Sequence, residues 1–167
     1  MRTNLGLASL SLLVFAGAAG AQTQKAPSIA GTYRLVSRTM PDGSTLVPPM
    51  IDGLMTYTAG YRNFNIHWKN AAGKAFSVSY AASYELTPKQ YREKSIFFLV
   101  NDEIGGKGLN YDLSGPSGAS PVMVEGAAIG FQLPLHGEPA LVFEGNNVTA
   151  TAMGPFGTFI DHWERVP

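Results

Sequence analysis

The chain has 167 residues, 12 Lys plus Arg against 12 Asp plus Glu, no cysteine and 11% aromatic residues. A formal charge of zero excludes the one-signed electrostatic footprint of a nucleic-acid or anionic-lipid binder. The absence of cysteine excludes disulfides, so a folded domain must be held by its core alone.

The first residues divide into three parts. Arg2 is a short positive region, residues 5–15 are an apolar core, and Ala19-Gly20-Ala21 is a small-x-small site before Gln22. This order predicts a cleavable Sec-type signal peptide over residues 1–21 and a periplasmic or secreted product. The apolar stretch is shorter than the about 20 residues of a membrane span. With no cysteine behind it, lipid attachment is excluded, and a free protein without stable membrane insertion is expected. Cleavage leaves 146 residues and removes only Arg2 from the charged set, so 11 cations face 12 carboxylates. That length is one domain by ordinary size.

Residues 22–28 are polar, contain Pro27 and are expected to form a disordered lead. From Ile29 the pattern has period two. Thr32, Arg34, Val36 and Arg38 alternate with Tyr33, Leu35 and Ser37, which predicts a half-buried strand. Pro41-Asp42-Gly43-Ser44 is a turn. Residues 45–52, with Pro48-Pro49, read as an irregular connection. Strands follow over 54–58 and 61–69, the second with Phe64, Ile66 and Trp68 on one face and Asn63, Asn65, His67 and Lys69 on the other. In the next strand Phe76, Val78, Tyr80, Ala82, Tyr84 and Leu86 share a face, opposite small Ser and Ala residues.

Thr87-Pro88-Lys89-Gln90-Tyr91 reads as one helical turn with Thr87 as its cap. Residues 95–101 are an apolar run without clean alternation, and 104–120 a Gly-rich loop around a weak strand at 109–113. Further strands are expected over 121–125, 129–134, 140–144, 148–153 and 158–166. Nine or ten short strands with turn signals every 8 to 14 residues predict an antiparallel all-β barrel or sandwich, and no amphipathic segment is long enough for an α/β fold.

Four segments carry a resemblance. They are Gly31-Thr32-Tyr33-Arg34-Leu35-Val36-Ser37, then Gly53-Leu54-Met55-Thr56-Tyr57-Thr58-Ala59-Gly60-Tyr61, Ser79-Tyr80-Ala81-Ala82-Ser83-Tyr84-Glu85, and His162-Trp163-Glu164-Arg165-Val166. In this order they resemble the strands of the bacterial and fungal lipocalin-like domain family, a calycin-type barrel. Tyr33 stands where that family usually has Trp, Ala82 where it has Gly, and residues 94–100 lack the histidines often found there. The resemblance implies an up-and-down β-barrel of about eight to ten strands over residues 29–167, with a central cavity for a small apolar molecule. It also implies that Tyr33 packs with Arg165 to close the barrel.

The residues themselves offer little catalytic chemistry. His67, His136 and His162 are not spaced as metal ligands, and His67 is expected on the solvent face rather than in the lumen. No Gly-x-Ser-x-Gly elbow and no phosphate loop occur. No catalytic residue, metal or cofactor is therefore expected. Most aromatics should be core. Tyr57, Phe64, Trp68, Tyr80, Tyr84 and Phe131 are the candidate ligand contacts, the tyrosines because a lumenal hydroxyl orients a ligand within an apolar pocket. The expected function is an exported carrier for a small hydrophobic molecule. The alternatives are a barrel-templated isomerase or cyclase using Tyr57, Tyr80, Tyr84 or Asp161, and a non-catalytic envelope interaction module.

Overall fold

The computed structural model describes residues 28–154 and 157–167; the signal peptide expected over 1–21, and the lead apart from Ser28, lie outside the described residues. Twelve strands run in chain order: β1 (Gly31–Thr39), β2 (Thr45–Leu46), β3 (Ile51–Tyr57), β4 (Tyr61–Lys69), β5 (Ala75–Leu86), β6 (Gln90–Asp102), β7 (Gly108–Asp112), β8 (Ser117–Glu125), β9 (Ala128–Gln132), β10 (Ala140–Glu144), β11 (Asn147–Gly154) and β12 (Gly157–Arg165). Setting aside β2 and β7, each strand pairs antiparallel with the next, and β12 returns to pair with β1. Ten strands thus close an up-and-down barrel, compatible with a calycin-type fold. The short β2 pairs with β1, and β7 folds back on β6. No helix occurs among the described residues.

The segment 87–91 departs from the expected helical turn. Thr87 does act as a cap, accepting the Gln90 N–H on its Oγ1 at 3.0 Å. The Thr87 N–H, however, donates to the Gln90 carbonyl at 2.9 Å, and the chain reverses directly into β6. The β5–β6 ladder runs up to this turn, with Leu86 opposite Tyr91, and the ladder outweighs a local helical preference. β6 therefore starts five residues before the apolar run that announces it. Likewise β8 begins at Ser117, inside the stretch expected to be loop.

Two β-bulges set the inside and outside of the wall. On β6, Phe97 pairs with Ala81 and Ser95 with Ala82, which leaves Ile96 unmatched and 51% exposed. An extra residue reverses the side-chain phase. Tyr91, Glu93 and Ser95 point inward before the bulge, and Phe98 and Val100 line the lumen after it. This is why the alternation of residues 95–101 is illegible. On β1, Val36 is skipped between Leu35 and Ser37. Arg38, expected on the same face as Arg34, is turned inward by that bulge and buried.

One half of the lumen is filled by six aromatic rings. Tyr91 and Phe131 stack at 4.3 Å between centroids, Phe131 lies 5.8 Å from Phe143, and Phe143 meets Tyr33 and Tyr57 edge-on at 5.7 and 5.5 Å. Tyr84 joins Tyr57 to Tyr91 at 5.4 and 5.8 Å. Tyr33 and Arg165 are cross-strand partners. The Arg165 guanidinium sits 5.9 Å from the Tyr33 ring centre and donates to the Ala30 carbonyl, tying the chain entering β1 to the end of β12.

The difference between inward and outward apolar residues is measurable. Phe131→Ala, at the centre of the ring cluster, is expected to cost about 3–5 kcal/mol of unfolding free energy. Ile96→Ala, on the outward bulge, is expected to stay within about 0.5 kcal/mol. Urea denaturation of the two variants decides it, and equal losses would contradict the inside–outside assignment.

Candidate functional site

The other half of the lumen is open. A cavity of about 410 Å³ lies between Phe64, Ile66 and Trp68 of β4, Phe76 and Val78 of β5, Phe98 and Val100 of β6, Ala152 of β11 and Phe159 of β12. Period-two alternation in β4 and β5 puts these side chains on one face. Trp68 and Phe76 stack at 4.4 Å as direct cross-strand partners. A second depression, on the outer wall between Asp52, Asn65, His67 and Ser79, is larger, at about 700 Å³, but more open to solvent. The lumenal cavity is the better candidate because aromatic walls enclose it.

The mouth carries a buried ion pair. Arg38 donates to both carboxylate oxygens of Asp161, at 2.6 and 2.8 Å. Its guanidinium also lies 4.5 Å from the Trp68 ring centre and 5.5 Å from that of Phe159. Bidentate pairing and flanking rings fix this arginine as part of the wall.

The deeper polar cluster sits between the cavity and the ring-filled half. Arg62, in phase with Phe64 and Ile66, is buried and donates to Glu93 at 3.1 Å and to Glu138. Glu93 also accepts from the hydroxyls of Tyr91 at 2.7 Å and Tyr80 at 3.3 Å. Arg62 lies 4.7 Å over the Tyr80 ring. Glu138 is less well matched: its Oε2 is buried without a hydrogen-bond partner, as are Tyr57 Oη, Arg62 Nε, Trp163 Nε1 and His136 Nε2. Burial, reinforced by the neighbouring Glu93 and opposed by Arg62, pushes the Glu138 carboxyl up to about 7. Burial likewise raises the Tyr57 and Tyr80 hydroxyls, keeping them protonated.

Glu138 and His136 reach the lumen on the 133–139 segment that joins β9 to β10. β8 pairs only with residues 90–94 of β6, and β7 takes over from Phe98. The 133–139 segment packs beside that junction, with Pro134 and Leu135 against Gly118 of β8. A Cβ on Gly118 would lie 2.9 Å from both, so glycine is required for the close approach. The His136 ring stacks on Phe98 at 4.0 Å and meets Tyr80 edge-on at 5.4 Å. Burial lowers its pKa, so the imidazole is neutral at pH 7.

Of the six residues expected to contact a ligand, Phe64 and Trp68 line the cavity. Tyr80 stands behind it, against Phe98 and His136. Tyr57, Tyr84 and Phe131 belong to the ring-filled half. Asp161 lines the cavity with both oxygens engaged by Arg38. His67 is on the solvent face. Sequence reasoning passed over Arg62, Glu93, Arg38 and Glu138. The phase of β4 carries the Arg62 signal, since position 62 alternates with 64, 66 and 68. Glu93 and Arg38 are hidden by bulges and Glu138 by an aperiodic loop. No family model, curated protein or solved structure matches this chain.

Two expectations follow from the buried charges. An Arg38→Met change alone strands Asp161 and is expected to cost about 3–5 kcal/mol, while Arg38→Met with Asp161→Leu recovers most of that loss; chemical denaturation of the single and double variants measures both. The second concerns Glu138. Its folded-state pKa lies above its unfolded value, so the folded state holds the proton more tightly. The resulting stability is complete below about pH 4.5 and is lost as pH rises through about 7. Unfolding free energy should decline across that window by an amount on the order of 3 kcal/mol, and Glu138→Gln should flatten the decline. A Glu138→Gln profile that matches that of the unaltered protein would refute the assignment.

Proposed function

We propose that this chain is an exported, lipocalin-like binding protein that holds one small apolar molecule in the open half of its barrel. The observation that carries the reading is the cavity itself. Its volume of about 410 Å³ falls in the range of about 300–1,000 Å³ typical of small-ligand sites. Its walls are aromatic and aliphatic, and its polar groups are few and fixed, the arrangement by which a pocket supplies affinity from burial and orientation from a few contacts. The order of residues 1–21 supports export to the periplasm or beyond. The four ordered strand segments, together with the closed antiparallel topology, support the lipocalin-like assignment.

The catalytic alternative has less to support it. Tyr57 and Tyr84 sit among the packed rings, the Tyr80 hydroxyl donates to Glu93, and Asp161 is held by Arg38. None of these groups is left with the freedom and access that proton transfer to a bound substrate demands.

Native mass spectrometry of protein purified from its own cell envelope should show a small molecule travelling with it. A panel of apolar compounds should include members that raise the thermal midpoint; at a hundredfold excess over Kd the gain is about 2.7 kcal/mol. Ala152→Trp, which fills the cavity from β11, should retain the fold by circular dichroism and lose at least tenfold in affinity for those members. A panel without any shift, or an Ala152→Trp variant that binds as well as the parent, would sink the reading.

A further inference from the structure

The polar groups in and beneath the cavity include more carboxyls than cations. Arg38 is engaged by Asp161, and Arg62 by Glu93 and Glu138, so with every group ionised one negative charge is left over. The surplus has a definite place. Glu93 has three donors, whereas Glu138 has Arg62 at one oxygen and a buried, unpartnered Oε2 at the other. The Glu138 side chain is 7% exposed. It lines both the cavity and a void of about 20 Å³ immediately beneath it. The cavity side of this group is walled by Phe64, Trp68, Phe76 and Phe98.

Resting on the reading that the cavity takes a ligand, we propose that Glu138 receives the ligand's head group and that the ligand is an apolar amine, an aromatic or alicyclic body carrying one protonated nitrogen. Each other head group fits worse. A carboxylate would bring a second negative charge into a poorly solvated site where two guanidiniums already face three carboxylates. A hydroxyl would donate to Oε2 but leave the surplus charge in place. An ammonium donates a charge-assisted hydrogen bond to Oε2, cancels the surplus, and lies among ring faces that attract cations.

The protonation of Glu138 adds a second signature. The charged and titratable groups around it are Arg62 from β4, Tyr57 from β3, Tyr80 from β5, Tyr91 and Glu93 from β6, the Arg38–Asp161 pair from β1 and β12, and His136 on its own segment. Glu93 and burial favour the protonated carboxyl and Arg62 the ionised one. An arriving ammonium adds to the second side, so binding below about pH 7 releases a proton from Glu138.

Isothermal titration calorimetry with three matched probes tests the proposal: 2-(1-naphthyl)ethylamine, 2-(1-naphthyl)ethanol and 1-naphthylacetic acid, at pH 7.5. The amine should bind at least tenfold tighter than the alcohol, and the acid weakest of the three. Glu138→Gln should abolish the amine preference, bringing amine and alcohol affinities to within threefold of each other. Amine binding at pH 6.5, measured in buffers of different ionisation enthalpy, should release protons from the unaltered protein but not from Glu138→Gln. An alcohol as tight as the amine, a tighter acid, or a preference that survives Glu138→Gln overturns the proposal. If the variant does not fold, the three-probe ranking and the proton release of the unaltered protein decide. Binding without amine preference, or shifts only with uncharged apolar compounds, removes the head-group inference and leaves the binding cavity standing. Silence of all three probes and of the apolar panel removes both.

Discussion

β1 and β12 join through six cross-strand pairs, from Tyr33 opposite Arg165 to Thr39 opposite Ile160. That closure is the constraint on which the rest depends. It removes the free edge that an open sheet would present, and it fixes an interior that side chains must then fill. An eight-stranded barrel is just wide enough to be filled by its own residues, and the diameter grows with strand number. Ten strands therefore leave more room than aliphatic side chains fill. This chain meets the excess unevenly, with six interlocking rings at one end and open space at the other. A ring-filled half gives rigidity to a domain that has no disulfide, so the other half need not be packed.

Arg62 stands at the boundary between the halves, and its place there has consequences in both directions. A buried guanidinium is costly unless its donors are met. Glu93 comes from the same wall, but Glu138 comes from the 133–139 segment, far along the chain from β4. The arginine therefore anchors that segment against the barrel, and with it the His136 ring on Phe98. Supplying two carboxylates to one guanidinium overshoots neutrality. Burial, reinforced by the overshoot, lifts Glu138 toward neutral pH, and an acceptor atom is left beside an apolar chamber. Structural anchoring and ligand recognition thus share one side chain.

Much of this architecture is written in period two. The strand over 61–69 matches β4 residue for residue, and the inward set of β5 follows from Phe76, Val78, Tyr80, Ala82, Tyr84 and Leu86 alone. Turn chemistry at Pro41-Asp42-Gly43-Ser44 placed the first reversal correctly. The polar groups of the site were not legible for three different physical reasons. Arg62 keeps strict phase, but a cation in an apolar series reads as an exception until a partner is known. Glu93 and Arg38 lie near bulges, where alternation cannot be carried across. Glu138 is placed by a loop whose course depends on a missing Cβ at Gly118 and on the partner waiting at Arg62, both distant in sequence.

The bulges themselves determine which chemistry faces the ligand. Were Ile96 paired in regular alternation instead of bulged, the inward phase of Tyr91, Glu93 and Ser95 would continue through Phe97 and Leu99. Phe98 would turn outward, and His136 would lose the ring on which it stacks. Were Val36 paired in regular alternation instead of bulged, the phase of Tyr33 and Leu35 would continue through Ser37, and Arg38 would leave Asp161 unpaired in the mouth. Either change keeps the same apolar content and the same strand count. Val36 and Ile96 are both exposed and neither lines the cavity, yet the bulges that exclude them from pairing turn inward the residues that build the mouth and one wall. The character of this lumen is therefore set as much by where pairing slips by one residue as by the composition of the strands.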